Sequence, residues 1–163
     1  MMSKLSTKQE VMKEIYKYYV DDESMTLLVG DMGFAVLDDF FNNHQKRTFN
    51  TGICEQATIS MSAGLCMTGL KPIVYSQVPF LVMRAYEQLR YDVNEHKLNI
   101  KLIGVGADNY FSSLGRSHCM GSDDIDMIKI FKNFKIYAPT KESLQEDIKD
   151  MFDYDGPTYL RCL

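Results

Sequence analysis

Asn50-Thr51-Gly52-Ile53-Cys54-Glu55-Gln56 joins a short strand-like run, Thr48 to Asn50, to an apolar run of small residues, Ala57 to Leu70. The second run reads as a buried helix. A strand that turns at a glycine into a buried helix is half of a β–α unit, and this turn carries a lone carboxylate, Glu55. Burying that charge is costly unless something specific pairs with it. One reading makes Glu55 a helix cap, since an acid in the first turn suits the spare backbone donors and the helix dipole. The other makes it a functional acid. The local pattern leaves both open.

Working outward, strand and helix alternate along almost the whole chain. Thr7 to Val20 has apolar residues at Val11, Ile15, Tyr18 and Tyr19, a helical spacing. Met25 to Val29 is a continuous apolar run that fits a strand buried on both faces. Gly30 to Phe34 is a turn, and Ala35 to Phe41 resumes helical spacing. Past the Ala57 to Leu70 helix, Ile73 to Tyr75 is a strand. Gln77 to Glu95 reads as one long helix with Leu81, Ala85, Leu89 and Val93 on a stripe. Asn99 to Val105 is a strand, and Gly106 to Ser122 a long loop of the kind that is usually functional or disordered. The remainder reads as a helix over Asp123 to Phe131, a strand over Lys135 to Ala138, a helix from Thr140 to Phe152 and a strand over Thr158 to Cys162.

This alternation predicts a three-layer α/β/α domain spanning residues 1–163, with a mostly parallel central sheet of about six strands. Ligands of such sheets bind outside the carboxyl ends of the strands. The turns at Gly30 to Phe34, Asn50 to Gln56, Ser76 to Phe80 and Gly106 to His118 all fall at that edge, so Glu55 belongs to it.

Composition narrows the function. A formal net charge of -4 and no basic cluster argue against a nucleic-acid surface. No apolar run reaches the ~18 residues that cross a bilayer, and Met1 to Tyr19 has no signal-peptide core, so a cytoplasmic protein is expected. Cys54, Cys66, Cys119 and Cys162 lack metal-site spacing and are expected to be reduced and mostly buried, with no metal site. Gly104-Val105-Gly106 lacks the third glycine of a dinucleotide loop, and there is no serine-hydrolase elbow. His44 and His96 lie among charged and amide residues and read as solvated surface groups. His118, after Gly115-Arg116-Ser117, sits in the long loop, where it either moves protons for a substrate or has no task. Phe80 follows a strand end, where its ring either joins the core or stacks on a flat ligand.

Taken together, Arg47-Thr48-Phe49-Asn50-Thr51-Gly52-Ile53-Cys54-Glu55-Gln56, Ala63-Gly64-Leu65 and Gly69-Leu70-Lys71-Pro72 resemble the pyrimidine-binding domain of the transketolase family. Tyr75-Ser76, Phe80-Leu81, Arg84-Ala85-Tyr86-Glu87-Gln88 and Asp92-Val93 are similar to the next helix of deoxyxylulose-5-phosphate synthase. Gly115-Arg116-Ser117-His118 falls where the family carries Gly-Pro-Thr-His, and Asp155 to Arg161 resembles its closing segment. The resemblance implies thiamine diphosphate as cofactor, with Mg2+ or Ca2+ held by another domain. By position, Glu55 matches the glutamate that bonds the aminopyrimidine N1′ and favours the imino tautomer that activates the cofactor. Phe80 falls near the aromatic that stacks on the pyrimidine, though the spacing leaves Met83 and Tyr86 as alternatives. His118 matches the substrate-channel histidine, and Arg116 replaces the proline as a candidate for binding an anionic substrate.

The motif that holds the diphosphate and metal is absent, and so is the family's third domain. The resemblance therefore implies a pyrimidine-binding subunit or domain that is inactive without a diphosphate-binding N-terminal partner, and that pairs as a homodimer. The implied reaction is transfer of two-carbon ketol units between sugar phosphates. Deoxyxylulose-phosphate-synthase-like or 2-oxo-acid decarboxylating chemistry, and a non-catalytic dimerisation module, are the alternatives. An acid poised for this task should face a cavity or subunit seam. A Glu55 side chain pointing away from any cavity or seam, or locked into a salt bridge of its own, would overturn the thiamine reading and leave a generic parallel-sheet module.

Overall fold

The computed structural model describes residues 4–163. Residues 1–3, part of the N-terminal stretch and of the expected domain, lie outside the described residues. Six strands form one sheet: β1 (Met25–Val29), β2 (Thr48–Asn50), β3 (Lys71–Gln77), β4 (Lys101–Val105), β5 (Lys135–Tyr137) and β6 (Thr158–Cys162). Their order is β2-β1-β3-β4-β6-β5, and every pairing is parallel. All five residues of β1, of β4 and of β6 are buried, as strands covered on both faces must be.

The helices divide the core in two. On one face α1 (Lys8–Asp21) and α6 (Leu144–Asp153) pack Val11, Ile15, Tyr19, Ile148 and Met151 against Leu27, Tyr75 and Ile103. The start of α1 is set by a capping box: Glu10 N–H donates to Thr7 Oγ1 at 3.3 Å and Thr7 N–H to Glu10 Oε2 at 2.8 Å. On the other face α3 (Glu55–Met67), the segment 79–94 and α5 (Asp123–Lys129) pack Ile59, Leu81, Leu89, Val93 and Ile128 against Val74, Leu102 and Tyr159.

Several expectations need correction. Ala35 to Phe41 is not helical throughout: Gly33 and Ala35 have φ of 85° and 63°, and α2 spans Asp38–Asn43 instead. The expected long helix over Gln77 to Glu95 is interrupted. It consists of π-helical turns at Pro79–Arg84, a short α4 (Tyr86–Gln88) and further π-helical turns at Leu89–Asn94. Leu81, Ala85, Leu89 and Val93 are nevertheless all fully buried. A stripe that recurs every fourth residue drifts about 40° per step around an α-helix of 100° per residue. The wider π-turns absorb that drift and keep the stripe on the core. His44 is not a solvated surface group: its ring nitrogens lie 3.2 Å from Tyr16 Oη and 3.2 Å from Arg47 Nη2. Partial burial and the Arg47 charge push its pKa down. All four cysteines are free thiols, but only Cys162 is buried. Among the described residues no helix is long and apolar enough to cross a membrane.

Candidate active site

The chain moves from β1 outward to β2 and then returns to the far side of β1 to form β3. The carboxyl ends of β1 and β3 are therefore the point where the strand order reverses, and in open α/β sheets that crevice is the ligand site. Gly30 closes β1 there, with its N–H on the Tyr75 carbonyl at 3.3 Å. A side chain at Gly30 would have its Cβ 3.2 Å from Ser76 Oγ and 3.8 Å from Glu55 Oε1. Glycine thus leaves a notch between the end of β3 and the first residue of α3. Ser76 is buried, and its hydroxyl has no partner among the described residues.

Glu55 opens α3 and is 3% exposed. Its carboxylate is not free: Arg84 Nη1 donates to Oε2 at 2.6 Å. This is the ion pair that would count against a cofactor role. Its partner, however, is not part of the core. Arg84 ends the first π-helical stretch, its side chain is 38% exposed, and its guanidinium lies 4.2 Å from the centre of the Phe80 ring. Phe80 in turn meets the His118 ring edge-on at 5.1 Å. The structure therefore brings Glu55, Phe80 and His118 into one chain of contacts at the carboxyl edge, with Arg84 as the link. The Ser117 hydroxyl lies 3.1 Å from His118 Nδ1.

The other candidates sit apart. Met83 and Arg116 are exposed. Tyr86 is turned toward α5, its hydroxyl donating to the Met127 carbonyl at 3.1 Å and its ring 4.8 Å from that of Phe131. Four apolar side chains in the segments that follow the carboxyl strand ends, Phe34, Ile53, Met83 and Leu114, are exposed among polar neighbours such as Asp31 and Gln56. A cavity of about 870 Å³ lies at the amino ends of β1 and β2, lined by Thr26, Arg47 and Phe49 among others. It contains none of these residues and is at the wrong end of a parallel sheet for the ligand.

The loop that carries His118 is clamped at its base. Arg161, at the end of β6, donates to Asp124 Oδ2 at 2.9 Å, to Asp108 Oδ1 at 2.8 Å and to the Gly121 carbonyl at 3.2 Å. The Tyr159 hydroxyl also donates to Asp124, at 2.6 Å. Burial, with the Asp124 charge, raises the Tyr159 pKa well above its ordinary value. Arg84, Ser76 and this clamp escape sequence reasoning. Arg84 lies 29 positions from Glu55, and Arg161 lies 37 from Asp124, so no local pattern announces either pair.

Comparison with known proteins decides the family. The description "Transketolase, pyrimidine binding domain" matches residues 3–162. The chain belongs to this family. Among its relatives is one subunit of the apulose-4-phosphate transketolase of Actinobacillus succinogenes, 33% identical over 78% of this chain and 41% of the relative. A putative transketolase C-terminal section from Methanocaldococcus jannaschii is 32% identical over 93% of this chain and 48% of its own length. The 1-deoxy-D-xylulose-5-phosphate synthase of Listeria monocytogenes is 32% identical over 93% of this chain and 25% of its own. A solved structure described as a split gene transketolase, inactive beta4 tetramer, superposes with TM-score 0.82 at 24% identity, covering 98% of this chain and 51% of that one. The chain thus spans about half the length or less of these relatives, and the solved structure shares the fold.

Proposed function

We propose that this chain is the pyrimidine-binding part of a thiamine-diphosphate-dependent transketolase. It transfers two-carbon ketol units between sugar phosphates and acts only with a diphosphate-binding partner domain or subunit. The observation that carries the reading is the buried Glu55 carboxylate at the strand-order reversal. It lies beside the Gly30 notch and the unpartnered Ser76 hydroxyl, within reach of a guanidinium that stacks on Phe80. These residues fit the pyrimidine half of the cofactor: an acid for a ring nitrogen and a flat face for the ring, at the edge where the fold binds ligands. When bound, the cofactor supplies the carbon nucleophile and electron sink of the reaction.

Glu55 would hold a proton at the ring nitrogen, Phe80 would orient the ring, and His118 would contact the substrate or move a proton to it. Arg116, exposed in the same loop, would attract the substrate's anionic group. Mg2+ or Ca2+ would be held, with the diphosphate, by the partner. Exposed Phe34, Ile53, Met83 and Leu114 support a site completed at a subunit seam. So does α3, whose outward face exposes Ala57, Met61, Gly64 and Met67 alongside Gln56 and Ser60. That face suits a second copy of the chain about a two-fold axis, as a homodimer within a cytoplasmic enzyme.

Reconstitution with the diphosphate-binding chain tests this. The isolated chain is expected to be inactive and the complex active on sugar phosphates. Glu55→Gln in the complex should lose roughly 100-fold or more in kcat. Full activity of that variant would refute the assignment. The synthase relatives keep a second reading in play, and activity with 2-oxo acids rather than ketose donors would select it.

A further inference from the structure

Arg84 has so far figured only as the partner of a carboxylate. Its guanidinium makes two contacts at once, an N–H bond to Glu55 at 2.6 Å and a stack over Phe80 at 4.2 Å. A guanidinium is flat and cationic, lies on aromatic faces and presents N–H groups in plane to a carboxylate. A protonated aminopyrimidine has the same properties. If Glu55 and Phe80 receive that ring, as the function proposed above requires, the ring and the guanidinium need the same place.

We propose that Arg84 is a placeholder for the aminopyrimidine. In the free chain it fills the slot between Glu55 and Phe80, holds the buried acid in position, and leaves as the ring arrives. The inference rests on the thiamine reading.

Local structure favours the exchange. The acid is 3% exposed and has nowhere to go, whereas the Arg84 side chain is 38% exposed and borders solvent. The residue after it, Ala85, departs from helical geometry at φ -101° and ψ 21°, so the helix is already broken beside it. With the guanidinium in place the empty chain does not carry an uncompensated buried charge, a strongly destabilising state. A group that competes for the slot lowers the apparent affinity for the ring by the fraction of time the slot stands open.

The test is a titration of thiamine, at millimolar concentration, into the isotope-labelled chain, followed by nuclear magnetic resonance. In the wild type, the Phe80 ring and Glu55 carboxyl signals should shift, and the Arg84 Nε–H signal should leave its ion-paired position in step with them. Arg84→Met should bind thiamine roughly tenfold more tightly, because the slot stands open. Arg84→Lys, which keeps the charge but not the flat face, should fall between. The placeholder is refuted if Glu55 and Phe80 respond while the Arg84 signal stays, or if folded Arg84→Met binds no more tightly than wild type. Should Arg84→Met fail to fold, the wild-type Arg84 signal decides alone. No response at Glu55 or Phe80 in any form refutes the thiamine reading, and the placeholder with it.

Discussion

Two buried carboxylates in this chain have opposite dependence on their arginines. Glu55 pairs with Arg84, a side chain that can turn into solvent, while Asp124 pairs with Arg161, a side chain only 5% exposed. Removing the acid takes a buried partner from a buried arginine only in the second case. Glu55→Gln should therefore change unfolding stability by less than about 1 kcal/mol, the scale of an exposed pair. Asp124→Asn should cost about 3 kcal/mol, because Arg161 loses its buried charged partner and keeps only the half-exposed Asp108, and Tyr159 loses a charged acceptor. Chemical denaturation of both variants checks the contrast. Glu55 was legible in the sequence because a carboxylate at a buried helix start is anomalous on its face. Arg84 was not, since an arginine on a helix of mixed polarity is ordinary until the fold places it across the site.

Among the elements, β1, β2 and β6 occupy the residues that the sequence marked as strands. Those patterns are local, and so are their boundaries. The segment from Pro79 to Asn94 shows where local reading stops: the apolar stripe was visible, but the π-turns that keep it facing the core were not. The same holds for the loop from Gly106 to Ser122, whose length was plain but whose shape depends on contacts from β6. Gly106 starts that loop at φ 81°, and a Cβ there would lie 2.2 Å from the Phe111 ring. Gly106→Ala should push Phe111 aside and misplace the His118 loop. We expect a loss of about 1–3 kcal/mol in stability, the cost of overpacking, together with a fall in kcat of the reconstituted enzyme larger than that in Glu87→Ala on the exposed side of α4. Thermal melting and steady-state kinetics of the two variants decide it.

For the whole molecule, alternation of strand and helix was enough to read the architecture. The strand order was not legible, because it depends on pairings between distant segments; with it the location of the reversal between β1 and β3 was hidden too. The amino edge carries a pH-dependent term. Lys101 opens β4 only 3% exposed, with Nζ donating to the Tyr154 and Gly156 carbonyls at 2.8 and 3.1 Å. Burial pulls its pKa down from 10.5 to about 7, against the pull of the Asp155 charge. Between these values the unfolded chain keeps a proton that the folded chain has released; the unfolded chain therefore binds more protons, and stability rises with pH across that window. Below it, the full cost of a buried cation remains. Urea unfolding of wild type should show a larger gain from pH 7 to 9 than Lys101→Met, which lacks the titrating group.

The sheet separates two cores that share no helix, and Phe80 and Arg84 ride on the layer built around Leu81 and Leu89. The layer of α1 and α6 is insulated from them by the strands. Conservative changes at Ile15 and Ile148 should then add independently to changes at Leu89, as separated sites do, and leave thiamine affinity untouched.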